Sequence, residues 1–180
     1  MTRVLKRNPE PIQIKDFVSL GAMLAPGLLF GMGLLWLYSV DARFSWVLSL
    51  QDSPWEFWVL ASCGIIATIG GIGDWIYHRV HVAVGPKEHK SHLLALITGG
   101  LPLFVLMAAA TVVSRPTVFL IPVLVVVLYT TTLICYDEFV FHRKRCLPLE
   151  TLFHRLLVFG NGVAWLAWFH WCFVRPSLVG

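Results

Sequence analysis

Five stretches of this chain are each long and apolar enough to cross a bilayer, and that feature decides most of what it can fold into. They run over Phe17–Val40, Glu56–Tyr77, Leu93–Val113, Thr117–Tyr136 and Leu152–Val174. A hydrocarbon core of about 30 Å takes roughly 20 helical residues to cross. Inside it every backbone N–H and C=O must be satisfied within the protein, which leaves helices or closed barrels. Each run is far longer than a barrel strand of about 10 residues. The sequence therefore predicts an all-α integral membrane protein with five transmembrane helices. Of its 180 residues 57% are hydrophobic and only 13% charged, against about 25% charged in a soluble domain. That balance excludes a disordered chain, a coiled coil and an ordinary soluble enzyme. Pro116 and Pro148 fall where helices begin and a missing N–H does no harm. Pro26 lies inside the first span, where a proline bends a helix.

The basic residues give the expected topology. Of 14 Lys and Arg, eleven precede the first span or flank the loops after the second and fourth: Arg3, Lys6, Arg7, Lys15, Arg79, Lys87, Lys90, Arg143, Lys144, Arg145 and Arg155. Only Arg43, Arg115 and Arg175 fall on the other side. The positive-inside rule then puts the N-terminus in the cytoplasm and the C-terminus outside, in a cell inner or plasma membrane. Trp46, Trp55, Trp58, Trp168 and Trp171 form an aromatic belt near the outer boundary. The first span starts late and lacks a small-residue cleavage site, unlike a signal peptide. The net charge of +4 is a topology signal, and no nucleic-acid-binding motif accompanies it. Cys63, Cys135, Cys146 and Cys172 have neither zinc-finger nor Cys-x-x-Cys spacing.

The histidines carry the chemistry. Six of the seven lie in two short segments, 73–100 and 137–162. In each, an acid precedes a histidine by four residues as one span ends: Asp74/His78 and Glu138/His142. A basic turn follows, and a second pair opens the next span: Glu88/His92 and Glu150/His154. Leu-Leu and a glycine pair come next in both, Gly99-Gly100 and Gly160-Asn161-Gly162. The pattern reads as a duplicated two-helix hairpin. The expected organisation is one membrane domain over 1–180. It has a cytoplasmic segment 1–16, a first helix 17–40, one hairpin at 56–113 and the second at 117–174. The two hairpins are expected to form a four-helix bundle of helices two to five.

Residues four apart share a helix face one turn apart. Each pair can aim a carboxylate and an imidazole at one point. His81 continues the Asp74 stripe if the helix does, and His89 stands three residues before His92. The expected metal ligands are Asp74, His78, His81, Glu88, His89, His92, Glu138, His142, Glu150 and His154. Asp137, Asn161 and Thr131 are expected beside them or along a cavity. Mixed carboxylate and imidazole ligands suit Fe or Mn, with Zn also compatible, and the count points to two ions. Ferritin-like di-iron bundles use the same logic with Glu-x-x-His. The site also resembles in style that of membrane desaturases and hydroxylases, though their His-x-x-His-His boxes are absent here.

Three bland readings weigh against a site. Surface acid–His pairs are common and weak; basic runs contact lipid headgroups; glycines let helices approach. Asp74 and Glu138 favour a site because they border apolar runs, where a lone carboxylate is costly. The expected activity is hydroxylation or desaturation of a lipid or other apolar substrate with O2. An external electron donor would be required, docked by the basic loops. The alternatives are a zinc-dependent membrane hydrolase with the same ligands, a haem b electron-transfer protein, and a non-enzymatic metal-binding protein. His170 stands apart among Trp168 and Trp171, as an interfacial packing residue.

Overall fold

The computed structural model describes residues 14–49, 51–81, 86–137 and 148–175, the side chains of 15, 16, 19, 22, 86–89, 92 and 137 excepted. Every regular element among them is helical. The α-helices are α1 (Ile14–Val40), α2 (Trp55–Val80), α3 (Pro86–Ala95), α4 (Leu101–Val112), α5 (Leu120–Asp137) and α6 (Pro148–Phe169). A π-helical segment, Leu96–Gly100, joins α3 to α4, and a second, His170–Val174, continues α6. Short 3-10 turns cover Ala42–Leu48 and Pro116–Phe119. Five stretches are long and apolar enough to span a membrane: Met23–Val40, Trp55–Val80, Leu93–Val112, Pro116–Tyr136 and Pro148–Val174. Their outer faces are apolar too. On α5, Ile121, Val125 and Leu128 are 74%, 60% and 69% exposed, which suits hydrocarbon and not water.

Local chemistry explains the irregularities. α1 runs unbroken through Pro26. Pro102 sits just past the first π segment, where in a regular α-helix its ring would meet the carbonyl four residues back. The wide turn relieves that crowding: the Leu101 N–H reaches the Leu96 carbonyl, five residues back. Threonine hydroxyls find their acceptors within the helices themselves. Thr68, Thr98, Thr111, Thr130 and Thr132 each donate to the carbonyl four residues earlier, at 2.7–2.9 Å.

The chain divides into two compact units. The α1 unit holds Glu10–Trp75 with Phe153–Trp168. In it α2 and α6 approach through glycines. A Cβ on Gly70 would lie 2.6 Å from the Leu157 backbone nitrogen, and one on Gly160 would lie 2.9 Å from the Cys63 carbonyl oxygen. Met23 of α1 rests on Gly71, and Phe30 stands edge-on to Trp168 with ring centroids 5.1 Å apart. Trp168, expected in the aromatic belt, is thus turned inward and 8% exposed. Trp55 and Trp58 do face outward.

The α4 unit holds Ile76–Leu152 and the segment from Phe169 onward. There α3, the first π segment and α4 pack on α5. Gly99 fits against Thr130, and the Thr98 and Tyr129 hydroxyls meet at 3.0 Å. The second π segment packs on α4, with Cys172 Sγ 3.6 Å from Thr111 Oγ1. Met107 and Val123 are fully buried in this unit.

Candidate carboxylate–histidine site

The α4 unit brings together one residue from each of the two histidine-rich segments. His78 occupies the last turn of α2 and Glu150 the first turn of α6. His78 Nε2 lies 3.6 Å from Glu150 Oε1. The side chains are 12% and 1% exposed, so both are withdrawn from solvent. Helix ends explain the placement. A carboxylate in a first turn meets the positive end of the helix dipole, and an imidazole in a last turn the negative end.

One turn away along their own helices stand Asp74 on α2 and His154 on α6, both in the α1 unit. Asp74 is half-buried with Oδ1 shut off from solvent; His154 is 8% exposed with Nδ1 likewise enclosed. Glu88, His89 and His92 lie on α3, and Asp137 ends α5; their side chains are outside the described residues. Glu138 and His142 are outside them altogether. α2 stops at Val80, and His81 follows it in a turn, exposed, its ring 5.0 Å from that of Tyr77. Thr131 and Asn161 are both exposed.

The His78–Glu150 separation is too long for a hydrogen bond. It is close to what two donors of one ion require: ligand bonds of about 2.0–2.2 Å at a tetrahedral angle put the donor atoms about 3.3–3.6 Å apart. Imidazole nitrogen with carboxylate oxygen is a donor set that Zn, Fe and Mn accept. Two ligands do not complete a site, and no group of three or more His, Cys, Asp or Glu is arranged to hold a metal among the described residues.

Two buried polar groups carry no spacing signal. Glu56, in the first turn of α2, is 2% exposed, and its sequence signal is only an acid at a helix start. Trp165 keeps Nε1 enclosed within α6. The chain matches no family model, no curated protein and no solved structure.

Proposed function

We propose that the chain is a membrane-embedded metal protein whose acid–His pairs form a carboxylate–histidine centre, acting as an oxidoreductase on a lipid or other apolar substrate. One observation carries the reading: His78 and Glu150, from the two histidine-rich segments, stand 3.6 Å apart and withdrawn from solvent. Ionisable groups placed this way at the ends of apolar helices are functional by default. Asp74 and His154 share stripes with them along α2 and α6. Glu138, His142 and the α3 residues Glu88, His89 and His92 are proposed to complete the ligand set from the duplicated hairpins, packed as a four-helix bundle. Two ions, iron by preference, would supply O2 activation. The protein would contribute ligand geometry, charge balance and an apolar path for substrate. The donor is then an external acidic partner, and the N-terminus is cytoplasmic by its basic loops.

The test is elemental analysis of the purified full chain and of His78→Ala, Glu150→Gln, Glu138→Gln and His142→Ala. The expected result is about two Fe or Mn per chain, falling to less than half in each variant while the helical circular dichroism is kept. Two Zn per chain would select the hydrolase reading instead. Metal-free wild type, or variants with undiminished metal, would sink the centre. A Soret band would replace it with haem.

A further inference from the structure

α1 and α6 come together at two levels of the α1 unit. At one, Met23 of α1 and Leu157 of α6 both close on Gly71 of α2, where an added Cβ would lie 2.6 Å from Met23 Sδ and 3.3 Å from Leu157 Cδ1. At the other, the Phe30 and Trp168 rings meet edge-on at 5.1 Å. Gly27 is four residues after Met23 and three before Phe30; Asn161 is four after Leu157 and seven before Trp168. Those spacings keep each of them on the helix face that carries both contacts. The next members of the two stripes are buried: Leu34, seven residues after Gly27, and His154, seven before Asn161. Gly27 and Asn161 are nonetheless exposed, and a Cβ on Gly27 would meet nothing within 4 Å. The two helices are held together at both levels and stand apart between them, with the carboxamide in the opening.

The opening lies deep in the span. Asn161 is thirteen residues from either end of the apolar stretch Pro148–Val174, about 20 Å along the helix and beyond the reach of bulk water. Among the described residues it has no hydrogen-bond partner. The Thr68 hydroxyl of α2 is spent on the Gly64 carbonyl, at 2.8 Å. Leu24, Leu157, Val158 and Trp165, the half-buried residues along the two faces, are apolar or aromatic. The charged residues of α1, α2 and α6 all stand toward the helix ends, so a charged occupant would find no counter-charge here.

We propose that this opening binds a neutral apolar alcohol, its hydroxyl on Asn161 and its hydrocarbon along the α1–α6 seam. A carboxamide offers two N–H donors and a carbonyl acceptor. A hydroxyl answers both, accepting from Nδ2 and donating to Oδ1; a ketone or an ether answers only the N–H. Water also does both, but an enclosed water takes two to four polar partners, and this opening supplies one side chain. An alcohol brings its own hydrocarbon to fill the apolar remainder. Gly27 provides the room, since any larger side chain there would project into the opening. The site involves neither His78 nor Glu150 and does not depend on the metal reading.

The experiment is photolabelling of the purified full chain, stripped of metal, in phosphatidylcholine nanodiscs. The probe is a tritiated ten-carbon primary alcohol with a diazirine on its chain. Labelling should saturate and should map to the stretches of α1 and α6 around Gly27 and Asn161. Unlabelled 1-decanol should compete for it. Decane should compete about five- to thirty-fold more weakly, the worth of one or two amide hydrogen bonds inside a membrane protein, and decyl methyl ether should fall between them. Asn161→Leu should lose affinity for the alcohol by the same factor, and Gly27→Leu, which fills the opening, should abolish saturable labelling. Neither position packs against a neighbour, so both variants should melt no lower than wild type, and lost labelling is not lost folding. Labelling that never saturates, decane competing as well as decanol, or Asn161→Leu labelled as wild type is, overturns the proposal and leaves the opening to lipid chains.

Discussion

Asp41 shows how much one side chain can organise. It caps the 3-10 turn that follows α1, accepting from the Arg43 backbone N–H at 3.0 Å. The Arg43 guanidinium also grips both carboxylate oxygens, at 2.6–3.1 Å, and lies over the Phe44 ring. That guanidinium holds the Asp41 carboxyl below the ordinary aspartate range. A depressed folded-state pKa contributes stability in full above the ordinary value, and the contribution is lost as pH falls through the lowered one. Arg43 is exposed and Asp41 only half-buried, so screening keeps the effect small. A site-resolved titration should find Asp41 ionising below an ordinary aspartate, and Arg43→Gln should move it back up; an unchanged midpoint refutes the pairing. The same scale shows where spacing stops being informative. His154 and Asn161 are seven residues apart on one stripe, yet one is buried and the other exposed. Helical period sets direction; the neighbour present at each level sets burial.

At the scale of elements, helix pairing rests on glycine contacts that differ in what surrounds them. At Gly70 an added Cβ would strike backbone, the Leu157 nitrogen at 2.6 Å and the Phe153 oxygen at 2.8 Å, neither of which can rotate away. At Gly27 nothing lies within 4 Å. Gly70→Ala should therefore cost about 1–3 kcal/mol by overpacking. Gly27→Ala should be neutral or gain up to about 1 kcal/mol from helix propensity. Thermal unfolding in detergent separates the two; equal melting points would contradict the α2–α6 contact. The spans themselves were legible because length and hydropathy are local. The π segment at Leu96–Gly100 was less so, although Gly99-Gly100 before Pro102 is its signature: two flexible residues, then one that cannot donate.

At the scale of the whole molecule, the proposed topology has five crossings and so puts the two termini on opposite sides of the membrane. With the basic loops inside, a C-terminal alkaline phosphatase fusion should be active and an N-terminal one inactive; the reverse pattern would invert the proposed orientation. The candidate site was half legible at this scale. The acid–His spacing named Asp74, His78, Glu150 and His154, and all four are withdrawn wholly or in part from solvent. It could not say that His78 would meet Glu150, since acid–His spacing acts within one helix and that meeting is between two.

The sequence by itself determined that this is a helical chain with five membrane-length apolar segments and an ordered set of acids and histidines at their ends. Each of those properties is written within about 20 consecutive residues, the length over which a bilayer reads a chain. Tertiary structure alone decided which partners meet. Gly70 takes Leu157, Phe30 takes Trp168, His78 faces Glu150, and Asn161 is left exposed. Those outcomes depend on side-chain volumes at contacts between segments far apart in the chain, where one methyl group is enough to forbid an approach.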